Sequence, residues 1–223
     1  MSLASCKVLG ALLLYPSSDL LAAVDEIERR VAAEPRLSAH ARDGVARLLA
    51  GFREGSLLDL EEAWVATFDH GRACSLHLFE HVHGEARERG QAMVDLRRLY
   101  VENGLEPSTT ELPDYLPLLC EFLSLAPESV ARPLLDDAAP ILAALRRKLE
   151  LRLSPYAAVL EALIDLAGDA VDRAALRDVE QAVDATEESE LERLDREWEE
   201  PVVDFTSAGA ADAAAATRAG RCS

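Results

Sequence analysis

Ser75-Leu-His-Leu-Phe-Glu-His-Val-His-Gly-Glu-Ala-Arg-Glu-Arg-Gly-Gln91 carries three of the chain's five histidines, and its reading separates two unlike molecules. If Ser75 to Val82 is a helix, residues four apart share a face, so His77 and His81 stack one turn apart with Glu80 beside them. The letters His77-Leu78-Phe79-Glu80-His81 then spell H-x-x-E-H, the inverted zinc-peptidase signature, in which two imidazoles hold the metal and the carboxylate polarises the attacking water. A third ligand would come from a downstream helix, and Glu150 is one of many carboxylates eligible by type. The other reading makes Leu76, Phe79 and Val82 the buried stripe of a short helix capped by Ser75 and ended by Gly84, with the histidines at its edges. Five letters at unconstrained spacing recur by chance, so the rest of the chain has to decide.

Composition predicts helices. Of 223 residues 49% are apolar, enough for a full core, but only 5% are aromatic. Ala and Leu dominate where strands would call for β-branched and aromatic residues, and no stretch reads as a β-hairpin. The expected fold is all-α, a single compact helical domain over 1–168. An acidic charged helix or extension follows over 169–200, and a disordered Ala-, Gly- and Ser-rich tail over 201–223.

The net charge of -18 argues against nucleic acid and anionic membrane, both polyanions, and favours a cationic partner. Residues 161–223 hold 17 acidic and 6 basic side chains, an excess that keeps a solvated end soluble. Cys6, Cys74, Cys120 and Cys222 are scattered, with no C-x-x-C pair, which fits reduced thiols in a cytoplasmic protein. Lys7 followed by Val8 to Tyr15 imitates a secretory signal but lacks a small-x-small cleavage site and runs through Pro16 into an amphipathic stretch. No run reaches the ~18 apolar residues of an integral membrane segment.

Helical periodicity places a first core helix over Leu3 to Leu14, closed by Tyr15-Pro16, and a second with Leu20, Leu21, Val24, Ile27 and Val31 inward. Ser38 and Ser56 open two more. The latter sets Trp64 and Phe68 four apart as one aromatic ridge. A long helix follows Gly84 and closes at Asn103-Gly104. Another starts near Pro113 or Asp114 and buries Leu116, Leu119, Phe122 and Leu123. Pro127 to Leu135, Ala138 to Leu149 and Pro155 to Ala167 complete the domain, and Asp178 to Glu200 reads as a charged helix with a thin stripe of Leu191, Leu194 and Trp198.

Three stretches carry a family resemblance: Ser75-Leu-His-Leu-Phe-Glu-His-Val-His-Gly-Glu85, Arg89-Gly-Gln-Ala-Met-Val-Asp-Leu96 and Glu111-Leu-Pro-Asp-Tyr-Leu-Pro-Leu118. Together they resemble the NarJ family, assembly chaperones of respiratory nitrate reductase within the TorD and DmsD group of redox-enzyme maturation proteins. The likeness is dense from Trp64 to Leu125 and looser over Leu9 to Pro16. It implies a cytoplasmic, non-enzymatic helical protein that binds the catalytic (alpha) subunit of nitrate reductase through its N-terminal leader. Such a protein holds its client competent for insertion of molybdopterin guanine dinucleotide before membrane docking and keeps no cofactor bound itself. A homodimer is compatible with the resemblance. The wider group's E-x-P-D-H motif falls on Glu111, Pro113, Asp114 and Tyr115, with tyrosine replacing the histidine. In this family H-x-x-E-H belongs to the family's own signature, which leaves the zinc peptidase as the lesser reading.

A leader docks as an amphipathic helix by burying residues at i, i+3, i+4 and i+7 in an apolar groove. Resemblance and helical facing nominate Trp64, Phe68, Leu112, Tyr115, Leu116 and Leu119 for that groove, then His77, Phe79 and His81. Glu111 and Asp114 are the expected charged rim, and Asp114→Lys is expected to weaken leader binding without unfolding the chain. A generic scaffold that oligomerises through its charged C-terminal helix would instead bind no leader.

Overall fold

Helix α9, Ala157–Ala167, is the element the others cover. Val159, Leu160, Ala162, Leu163, Ile164 and Leu166 are all buried, the mark of a helix covered on nearly every side, with Glu161 and Asp165 forming its one charged edge. Around it the computed structural model, which describes residues 3–70, 72–82, 86–107, 111–168 and 171–198, is helical throughout with no named strand among those residues. The helices are α1 (Ala4–Ala11), α2 (Ser18–Ala22), α3 (Val24–Ala33), α4 (Ala39–Glu54), α5 (Leu57–Phe68), α6 (Ala86–Glu102), α7 (Leu116–Leu125), α8 (Glu128–Leu151), α9 and α10 (Arg173–Trp198). α9 packs on α8, α4 and α1, and α1 in turn packs on α7 and α3. The chain divides into Met1–Asp184, which holds this core, and Ala185–Ser223, which contains the last turns of α10. The expected tail over 201–223, and Gly84 as a helix end, lie outside the described residues.

Ser17, Ser38 and Ser56 each cap a helix by accepting a backbone N–H, from Leu20, Ala41 and Asp59 respectively. At Ser56 Asp59 returns a bond to complete a capping box. α1 and α7 approach so closely that a Cβ on Gly10 would stand 2.5 Å from Cβ of Cys120, so only glycine fits the crossing. Arg132 of α8 donates to the carbonyls of Leu166 and Ala167, meeting the unpaired acceptors at the end of α9 before Gly168 turns the chain with φ +84°.

Four expectations change. The helix foreseen from Leu20 to Val31 is two, α2 and α3, hinged at Ala23. The two helices foreseen over Pro127–Leu135 and Ala138–Leu149 are one 24-residue helix, α8. Pro133 and Pro140 each remove one ladder bond, but the buried stripe of Leu135, Ala138, Leu142, Leu145 and Leu149 runs through both sites and keeps the helix whole. Residues Ser75 to Val82 are not a helix. They form a bend, one backbone bridge at His77 and a single 3-10 turn over Leu78–Glu80. Finally, α7 begins at Leu116 rather than at Pro113 or Asp114, for a reason that belongs to the site.

Candidate functional site

The two stretches richest in motif residues pair with each other. His77 and Tyr115 face one another in an isolated antiparallel bridge, with Leu78 N–H donating to the Asp114 carbonyl at 3.1 Å and Leu116 N–H to the Leu76 carbonyl at 2.9 Å. Both partners of this pairing need extended backbone, which forbids a helix across 76–78 and delays α7 until Leu116. Asp114 is the pin. Its side chain is wholly buried; Oδ2 accepts from Phe79 N–H at 3.0 Å and Oδ1 lies 3.3 Å from His77 Nδ1. Tyr100 of α6 adds a third tie, its hydroxyl donating to the Pro113 carbonyl at 2.7 Å.

This geometry accounts for the histidines. His81 Nε2 donates to the Ser75 carbonyl at 2.8 Å, closing the loop on itself, while His77 turns to Asp114. The imidazoles therefore do not share the helical face that H-x-x-E-H requires, and Glu80 is engaged by Arg89 at 3.1 Å. No group of three or more His, Cys, Asp or Glu among the described residues is placed to hold a metal. The Asp114 carboxylate raises the His77 pKa through their hydrogen bond, against burial, whereas burial lowers that of His81. Glu80 is held below the usual carboxylate range: burial opposes this, but bonds from Ser75 and Arg89 outweigh it. Burial, with Glu111 nearby, pushes the Tyr115 phenol up to about 12, so it stays neutral.

Above the pinned loops lies an apolar surface. Tyr115 is half-buried, with its ring 5.3 Å from that of His77. On one side of it, a cleft of about 340 Å³ contains Trp64, Phe68, Arg72, His77 and Glu80. On the other, a cleft of about 220 Å³ between α1 and α7 is lined by Ala11, Leu14, Pro117 and Leu118, with Glu111, Glu121 and Lys7 at its edge. A third, of about 190 Å³, continues past Leu118 and Glu121 to Leu105, Glu106 and Leu125. Tyr115 lines the first two, and Leu118 with Glu121 line the last two. Trp64 fixes the near end: its Nε1 donates to the Leu13 carbonyl at 3.0 Å, and its ring meets Tyr15 edge-on at 5.3 Å and Phe68 at 5.5 Å.

The nominated residues divide into two sets. Trp64, Tyr115, His77, Phe79 and His81 are half-buried, while Leu112 and Glu111 are exposed; Trp64, Tyr115, His77 and Glu111 line the clefts, whereas Phe79 lines a separate one beside α6 and Leu134. Phe68, Leu116 and Leu119 are buried, and Leu116 and Leu119 line none of the three clefts, because the α7 face that carries them turns to the core. Asp114 departs furthest from its expected place. A carboxylate with no exposure is no rim charge, and a lysine there would be a buried cation in place of a buried acceptor, so Asp114→Lys would damage the fold. Sequence reasoning missed the contribution of Ala11 at the end of α1 and of Leu14 in the bend after it, and the outward positions Leu118, Glu121 and Leu125 of α7. The signal for the second set was present: 118, 121 and 125 recur at three and four, the spacing of one helical face.

Fold and site together define an all-α protein distinguished by two mutually pinned motif loops beneath an open, apolar, carboxylate-fringed groove. The chain belongs to the nitrate reductase delta subunit family, whose model matches residues 34–162. It is similar to the nitrate reductase molybdenum cofactor assembly chaperone NarJ of Escherichia coli strain K12, being 39% identical over 198 residues that cover 89% of this chain and 83% of that protein. The probable assembly chaperone NarW of the same strain is 40% identical over 204 residues, 89% of this chain and 82% of its own. The probable NarJ of Bacillus subtilis strain 168 is 36% identical over 105 residues, 47% of this chain and 57% of its own. The family read from the motif stretches is thus the one to which the chain belongs. No helix among the described residues is long and apolar enough to cross a membrane.

Proposed function

We propose that this protein is a cytoplasmic assembly chaperone for nitrate reductase. It captures the N-terminal leader of the catalytic subunit, holds that subunit competent for insertion of molybdopterin guanine dinucleotide, and delays membrane docking. It performs no catalysis and carries no cofactor of its own.

The observation that supports the reading best is the surface around Tyr115. Leu14, Tyr15 and Leu112 are each more than two-fifths exposed although large and apolar, an arrangement that costs solubility unless something covers it. Glu111 and Glu121 border the Tyr115 cleft in a chain of net charge -18, which suits a ligand that is apolar along one face and cationic at its edges. The relatives named as molybdenum cofactor assembly chaperones supply the client. An interface of about 600 to 800 Å² per partner gives micromolar to nanomolar affinity according to its anchors, appropriate to a client that must later be released.

Calorimetric titration with a peptide copied from the start of the nitrate reductase catalytic subunit of the same genome tests this. The expected result is one-to-one binding that weakens as salt is raised. A peptide that fails to bind at millimolar concentration would refute the assignment.

A further inference from the structure

We propose that the groove is directional: a bound leader lies with its amino-terminal end over the α7 half and its carboxy-terminal end beside Trp64. The inference rests on the leader-binding reading and adds an orientation to it.

The three clefts adjoin in a row, with Tyr115 between the first and the second and Leu118 with Glu121 between the second and the third, and a ligand crossing these residues would meet them as one track. From Tyr115 to Leu125 the helix rises about 15 Å, room for roughly ten helical residues of a ligand before the Trp64 end is counted. The floor is most apolar between α1 and α7 and mixes aromatic with polar side chains at the Trp64 end, and the charge at its edge is not uniform. At the α7 half stand Glu106, Glu111 and Glu121, against which the one cation among the described lining residues is Lys7, already 2.8 Å from Glu121. At the Trp64 half Glu80 is matched by Arg89, and Asp69 shares the cleft with the exposed Arg72.

A leader that forms a helix is itself polar. Its first turn exposes unpaired N–H groups and carries the positive end of the dipole, and a free α-amino group or an early lysine adds to that end; its last turn carries the negative end. An excess of carboxylates at one end of the track and balanced charge at the other complement this polarity in one direction and oppose it in the reverse. Each such contact is weak at an exposed edge, so direction comes from several acting together, and the apolar floor supplies the affinity.

Photo-cross-linking of the full chain with the same leader peptide decides the point. One peptide carries benzoylphenylalanine at its first residue and a second carries it at its last. The first should attach within 105–125 and the second within 64–80. In parallel, Glu121→Gln should weaken the unmodified peptide about three-fold and leave an N-acetylated peptide lacking early cations within two-fold. The reverse attachment pattern, or equal attachment at both ends, overturns the orientation while leaving capture of the leader intact. Absence of binding in the titration removes the reading beneath it.

Discussion

Asp114 shows what one residue does here. A carboxylate accepting a backbone N–H and facing an imidazole adds a buried side-chain tie to the backbone bridge between two loops. Asp114→Ala removes the acceptor of the Phe79 N–H and the partner of His77 Nδ1. We expect a loss of about 2 to 3 kcal/mol in urea unfolding, with Asp114→Asn losing less because it keeps an acceptor for Phe79. His77 gives this contact a pH signature. Its pKa is raised in the fold, so the stability it contributes is fully present below its ordinary value near 6.5 and is lost as pH rises through the higher folded value. His77→Gln should therefore cost about 1 kcal/mol at pH 5.5 and less at pH 8, read from unfolding midpoints at the two pH values. A cost independent of pH would contradict the pairing with Asp114.

At the scale of elements, the crossing of α1 and α7 is the contact on which the groove depends. The side of α1 that meets α7 is closed at Gly10, and the bend just after α1 supplies Leu14 to the cleft. Gly10→Ala should force the helices apart and cost about 1 to 3 kcal/mol. Gly51→Ala is the matched control, in α4 with open space around it, and should be neutral or stabilise by up to ~1 kcal/mol, both measured by thermal unfolding. Elements were also where the sequence was most and least legible. Periodicity and serine caps located most helices, because both act within a few residues. What the sequence could not supply were interactions between distant segments. The bridge that straightens 76–78 comes from residues almost forty positions away, so local spacing around His77 and His81 favoured a helix that the partner strand forbids. α8 shows the opposite case, where burial along one stripe carries a helix through two prolines that local rules count as stops.

For the whole molecule, the family was readable because the stretches that pin the loops are dense in unusual residues, whereas the position of the groove was not. Facing rules gave Leu116 and Leu119 their buried side correctly, but the open clefts lie against the opposite face of α7, at Leu118 and Leu125. The central claim is that a cationic leader is held on this apolar track. The most direct test compares leader affinity, by calorimetry at low salt, for Leu14→Lys in the track and Val101→Lys on the outer face of α6, two exposed apolar positions in a chain of the same charge. The account predicts that Leu14→Lys weakens binding at least about ten-fold by removing apolar contact and adding repulsion, while Val101→Lys leaves it unchanged and both variants unfold near the wild-type midpoint. Equal affinity for the two variants would contradict it.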